Sequence, residues 1–85
     1  MYLHLGKGTV IAKEDIVAIF DLDQTSQSHI TRKYLAAAEK AGQVINAAED
    51  IPKSFVVCEN KEGRWCYLSQ MAPSTLLKRA ESEII

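Results

Sequence analysis

An α+β domain, with one long helix on one face of a small mixed or antiparallel sheet and a short C-terminal helix, is what this sequence predicts. Three observations carry that prediction. Between Thr25 and Ala41 apolar residues recur at steps of three and four, the spacing of a helical stripe. "PKSFVVCENKEGRWCYL", residues 52–68, has two β-rich runs around a turn. "IVAIF", Ile16 to Phe20, is β-branched and aromatic with no polar residue inside it. The chain has 85 residues, too few for two separate cores, so a single domain over 1–85 is expected.

The elements follow in order. Tyr2 to Leu5 reads as a first strand, Gly6-Lys7-Gly8 is a turn, and Thr9 to Ala12 is a second strand paired with the first. Lys13-Glu14-Asp15 breaks the apolar pattern, and Ile16 to Phe20 then reads as a strand covered on both faces. The long helix, near residues 27–41, starts at a Ser26 or Ser28 cap and places Ile30, Tyr34, Ala37, Ala38 and Ala41 on one stripe. Gly42 supplies its left-handed end, and Lys40 complements the negative end of the helix dipole. Arg32, Lys33, Glu39 and Lys40 form its solvated side.

Gln43 to Ala47 is a short strand, and Pro52, lacking an N–H, belongs at the beginning of the next. A three-residue loop Lys61-Glu62-Gly63 would set Asn60 opposite Arg64, Glu59 opposite Trp65 and Cys58 opposite Cys66. That register puts Phe55, Val57, Glu59, Trp65, Tyr67 and Ser69 on one face, and Val56, Cys58, Cys66 and Leu68 on the other. Pro73 in a first turn, with Leu76, Leu77 and Ala80 on one stripe, makes the C-terminal helix to about Ser82. Both faces of the hairpin are apolar. The expectation is that the long helix, joined by the C-terminal one, covers the first face and a neighbouring subunit covers the second, so that the chain self-associates.

Composition bounds the function. With 10 basic and 11 acidic residues the net charge is -1, so any nucleic-acid contact must come from basic residues gathered on one surface. No stretch is long and apolar enough for a membrane span, and no signal-peptide pattern opens the chain, so a cytoplasmic location is expected, with Cys58 and Cys66 as reduced thiols. His4, His29, Cys58 and Cys66 lack the close ligand spacing of a zinc site, and no metal is expected. Asp21 and Asp23, with Glu14 and Asp15, follow no calcium-loop pattern. Ser54, Ser69 and Thr75 sit in no nucleophile elbow, and "LGKGTV" is neither a phosphate loop nor a dinucleotide fingerprint. No catalytic residue, cofactor or small-molecule substrate is therefore predicted, and the chain is not read as an enzyme.

The order "LGKGTVIAKEDIVAIF", a helix, "PKSFVV" and "APSTLLKR" resembles the extracellular matrix regulator family of Gram-positive bacteria, RemA and RemB, over almost the whole chain. The "PKS.VV" and "STL.KR" pieces look most like the RemB branch. The resemblance implies a non-enzymatic, DNA-binding regulator of matrix and biofilm genes that assembles as a homo-oligomer, ring-like in the RemA branch. Its partners would be copies of itself and DNA. A scaffold of the same fold that binds protein and never DNA is the alternative. Where RemA-type sequences carry arginines before the "VV" strand, this chain has Ile51, Pro52, Lys53 and Ser54, and Asp15 stands where they have an arginine before the third strand. Lys53 keeps the positive charge there and is the first candidate for DNA contact, followed by Arg32 and Lys33 on the helix exterior.

Overall fold

A computed structural model describes residues 2–22 and 25–82. The chain runs β1 (Tyr2–Gly6), β2 (Thr9–Ala12), a 3-10 turn (Lys13–Asp15), β3 (Ile16–Asp21), α1 (Thr25–Lys40), β4 (Val44–Asn46), β5 (Ser54–Asn60), β6 (Gly63–Ser69) and α2 (Pro73–Ser82). The α+β class and the strand character of "IVAIF" agree with the sequence reading. The helix begins at Thr25, so Ser26 and Ser28 stand inside its first turns and the expected start at a Ser26 or Ser28 cap is corrected; the side chain of Ile30 and residue Asp23 lie outside the described residues and side chains.

A four-stranded sheet, in the order β3-β5-β6-β4, forms the centre, and β1 and β2 make a separate two-stranded hairpin. β3 and β6 both run antiparallel to β5, whereas β4 runs parallel to β6. Central β5 is buried without a break from Ser54 to Cys58, as a strand covered on both faces requires.

The two faces carry different cores. On one face Ala38 and Tyr34 of α1 pack with Phe55, Val57 and Cys66 of the sheet, and Phe20, Leu22, Val44 and Leu68 surround them. The rings of Phe20 and Phe55 stack at 4.8 Å between centroids, and Tyr34 stacks on both. On the other face Val56 and Cys58 meet Leu3, Leu5 and Ile11 of the β1–β2 hairpin, Ala47, and Leu76 of α2. The expectation that a neighbouring subunit covers the second face is therefore corrected: the chain's own hairpin and α2 cover it. α1 and α2 lie on opposite faces rather than together. The alternation of Leu3 and Leu5 in β1 turns both leucines inward and leaves Tyr2 and His4 outward.

The β5–β6 register also differs from the reading above. The turn is the two-residue Lys61-Glu62, so Asn60 pairs with Gly63, Glu59 with Arg64, Cys58 with Trp65 and Val57 with Cys66. The Asn60 side-chain oxygen accepts the Glu62 N–H at 2.8 Å, closing the turn locally, and Gly63, at φ 140°, serves as a strand residue instead of a loop residue. This register groups Phe55, Val57, Cys66 and Leu68 under α1, and sends Tyr67 to the opposite face with Val56 and Cys58. A slip of one residue exchanges the faces of a whole strand, and every β6 side chain is reassigned accordingly.

At the open end of the hairpin, Ser54 pairs with Ser69 and both are fully buried. The Ser54 hydroxyl donates to the Met71 carbonyl at 2.8 Å. The Ser69 hydroxyl donates to the Leu5 carbonyl at 2.8 Å and accepts the Met71 N–H at 3.1 Å. These bonds tie β1 and the β6–α2 connection to the central strands. At the opposite side of that face, the Lys13 ammonium donates to the Ala80 carbonyl at 2.6 Å, joining the 3-10 turn to the last turn of α2 where a cation complements the dipole. Gly6 adopts φ 125°, and a Cβ there would lie 2.7 Å from the Ala47 carbonyl oxygen, so only glycine lets β1 approach that backbone.

Candidate functional site

Lys53 stands on the connection that enters β5, and its backbone is fixed from both sides. Its N–H donates to the Ser69 carbonyl at 2.9 Å, and its carbonyl accepts the Leu22 N–H at 2.9 Å. The side chain is exposed and shares a surface hollow of about 340 Å³ with Asp50, Ile51 and Gln70. The rim is held by side chains as well: the Gln70 amide oxygen accepts the Glu49 N–H at 2.8 Å, and the Asp50 carboxylate accepts the Ile51 N–H at 2.9 Å. Ile51 is 77% exposed, the highest exposure among the large apolar side chains described. The surface is thus a rigid platform with one cation, two nearby carboxylates (Glu49 and Asp50) and a projecting aliphatic group.

Arg32 and Lys33 are exposed on the outer side of α1. They occupy a helix exterior and Lys53 a sheet-end connection, two separate places in the fold. An ammonium on a flexible stem meets a phosphate as a point charge, whereas a guanidinium can grip it with two parallel bonds. Within one chain the three side chains supply dispersed positive charge.

A further arrangement was not foreseen. Arg64 of β6 donates through one nitrogen to the Tyr34 hydroxyl at 3.2 Å and through the other to the Glu59 carboxylate at 3.0 Å. The Tyr34 bond first, then the Glu59 bond and charge, hold its pKa above the ordinary guanidinium value. Glu59 and Arg64 flank the turn symmetrically, and that spacing of opposite charges was the available signal for both the ion pair and the two-residue turn.

The cysteines are not a nucleophilic or metal-binding pair in this fold. Both are free and buried, and they project from opposite faces of the sheet, Cys58 toward β1 and α2 and Cys66 toward α1. Burial first, then the charge of Asp15 and the neighbouring Cys66, push the Cys58 thiol up to about 11. Burial likewise raises the Cys66 thiol, against an opposing pull from Arg64. Both remain protonated at neutral pH, whereas a nucleophile or zinc ligand must be a thiolate. The expected pairing of Cys58 with Cys66 is replaced by Val57 with Cys66. Ser54 and Ser69, weighed above as hydroxyl nucleophiles, are occupied in buried structural bonds.

A family model described as RemA-like, Extracellular matrix regulatory protein A-like, matches residues 2–80, from β1 into α2. The chain belongs to this RemA-like family. Extracellular matrix regulatory protein B of Bacillus subtilis (strain 168) is similar to it, 36% identical over 81 residues that cover 95% of this chain and 91% of that protein. The resemblance to the RemA and RemB regulators, and to the RemB side in particular, is thereby borne out. The RemA-like family is one of regulators, and the match takes in Lys53, Arg32 and Lys33. Among the described residues no helix is long and apolar enough to cross a membrane.

Proposed function

We propose that this chain is a non-enzymatic cytoplasmic regulator of extracellular matrix and biofilm genes that works as a homo-oligomer and binds DNA, chiefly at phosphates. The observation that carries the reading is Lys53: a solvent-directed ammonium on a backbone clamped by Leu22 and Ser69, in a chain of the RemA-like family. A fixed platform reduces the ordering cost of holding a phosphate. One cation per subunit is weak alone, but repeated around an oligomer it sums to a track that releases counterions along the duplex, with Arg32 and Lys33 adding charge. No helix combines several arginines with Asn or Gln in the manner of a base-reading helix, so sequence-independent phosphate contact is favoured.

Self-association under this reading does not draw on the sheet faces, which the chain covers itself. It draws on the exposed apolar residues Tyr2, Val10, Val17 and Ile45, and on the outer edges of β3 and β4. The Lys53→Glu variant tests the DNA contact. It should weaken binding to unrelated duplexes alike and lower the salt slope by about one phosphate contact per engaged subunit. Unchanged affinity would remove Lys53 from the interface.

A second reading is favoured by the surroundings of Lys53. Glu49 and Asp50 repel phosphate, and exposed Ile51 suits an apolar pocket on another protein. A scaffold that binds protein through this platform would show no salt-sensitive DNA affinity, and Ile51→Ser would release its partner.

A further inference from the structure

A second hollow, of about 200 Å³, opens between α1 and β6 and is lined by Tyr34, Ala37, Ala38, Gln43 and Arg64. Its wall is fixed. The Gln43 N–H donates to the Ala38 carbonyl at 2.9 Å, and the Gln43 carbonyl accepts the Cys66 N–H at 2.8 Å, so this residue joins the end of α1 to β6. Ala37 and Ala38 provide a small apolar floor.

Unused hydrogen-bonding capacity converges on that floor. A guanidinium has five N–H donors. Arg64 commits one nitrogen to the Tyr34 hydroxyl and the other terminal nitrogen to Glu59, and keeps further N–H groups free. Tyr34 accepts the arginine's bond and retains its own hydroxyl proton. The Gln43 side chain lines the same hollow beside them. The unspent groups are therefore mostly donors, set at the rim of an apolar hollow by an arginine that already makes two side-chain hydrogen bonds.

We propose that this hollow binds a small monoanionic carboxylate bearing a compact apolar group. Arg64 and Tyr34 would hold the carboxylate, Gln43 would complete it, and the apolar group would rest on Ala37 and Ala38. Glu59 selects the charge of the ligand: a carboxylate shares the guanidinium with it, whereas a doubly charged phosphate meets stronger repulsion. Lys40 and Glu39, with Ala36 and Ala37, line the adjoining hollow, which thus carries one charge of each sign. The volume admits only a fragment-sized molecule. This inference stands apart from the DNA reading and survives its failure.

Amide-resolved NMR titration of the full chain with benzoate, benzyl alcohol and inorganic phosphate tests it. Benzoate should give saturable shifts at Tyr34, Ala38, Gln43 and Arg64, with a dissociation constant on the order of 1 mM. Benzyl alcohol, which lacks the charge, should bind about tenfold more weakly, and Arg64→Gln should lose about tenfold for benzoate. Tyr34→Phe, which keeps the ring stacking on Phe20 and Phe55, should lose about fivefold. Unmoved amides at Ser54 and Ser69 establish that the variants are folded, and the benzyl alcohol comparison uses no variant at all. The proposal is overturned by the absence of saturable benzoate shifts, by equal binding of benzyl alcohol, by phosphate binding more tightly than benzoate, or by an Arg64→Gln variant that binds benzoate as well as the parent.

Discussion

Replacing Ser69 by alanine removes one oxygen from the interior and breaks two bonds at once. The hydroxyl donates to the Leu5 carbonyl at 2.8 Å and accepts the Met71 N–H at 3.1 Å, in a residue with no exposed surface. Alanine cannot replace either bond, and the site gives water no direct entry. A buried polar group left without its partner costs about 1–3 kcal/mol, so two groups with partial relaxation should cost about 2–4 kcal/mol. For a domain of this size each kcal/mol corresponds to roughly 4–8 °C in melting temperature. The assay is urea unfolding of Ser69→Ala and wild type at one fixed protomer concentration, because association would otherwise shift the midpoint. Ser74→Ala, at an exposed position of α2, is the control and should stay within about 0.5 kcal/mol of the parent. If Ser69→Ala proves as stable as the control, the hydroxyl does not join β1 to the β6–α2 connection, and the account of the second sheet face fails with it.

Phe55→Ala should cost about 3–5 kcal/mol in the same assay, since Phe55 is fully buried between Phe20, Tyr34 and α1; a loss below about 1 kcal/mol would contradict that packing. Gly6→Ala should lower the melting temperature measurably, because the added carbon meets the Ala47 carbonyl at 2.7 Å in backbone that side chains rarely adopt; an unchanged melting curve would show the approach to be looser. Cys58 makes stability depend on alkaline pH. Its folded pKa of about 11 lies above the unfolded value of 9.0, so its contribution is complete below pH 9.0 and is lost as pH rises through about 11. Equilibrium unfolding over that window, repeated on Cys58→Ala, should show the parent losing stability more steeply; parallel profiles would assign the slope to other groups.

The element order was legible because it rests on local signals: the change of period into α1, the apolar run of β3 and the β-rich segments around a polar turn next to Gly63. Two features were not. Two- and three-residue turns both accommodate Gly63, and the choice depends on the Asn60 side chain accepting the Glu62 N–H and on the Glu59–Arg64 pair, neither of which alters the apolar pattern. The cover of the second face was hidden for a different reason. Leu3, Leu5 and Ile11 announce an inward side of the first hairpin, but nothing in their spacing says that this side lies on Val56 and Cys58, a contact between distant parts of the chain. The reading that a small chain must leave one face to a neighbour followed from that gap. Lys53 was marked by resemblance and by its place before β5, while its clamped backbone and acidic neighbours depend on tertiary contacts with Leu22, Ser69 and Gln70. Arg64 was misplaced by the register, and the hollow it shares with Tyr34 and Gln43 was lost with it.

Fluorescence anisotropy of the purified chain on a labelled duplex, across a series of salt concentrations, tests the central claim most directly. A phosphate-tracking oligomer should show log affinity falling linearly with log salt, with a slope of about -0.9 for each phosphate neutralised, and little difference between unrelated sequences. Saturable binding with a slope equivalent to several contacts, more than the single Lys53 of one chain provides, is the predicted result. An affinity that does not respond to salt, or no binding even at low ionic strength, would contradict the DNA-binding account and leave the protein-partner reading in its place.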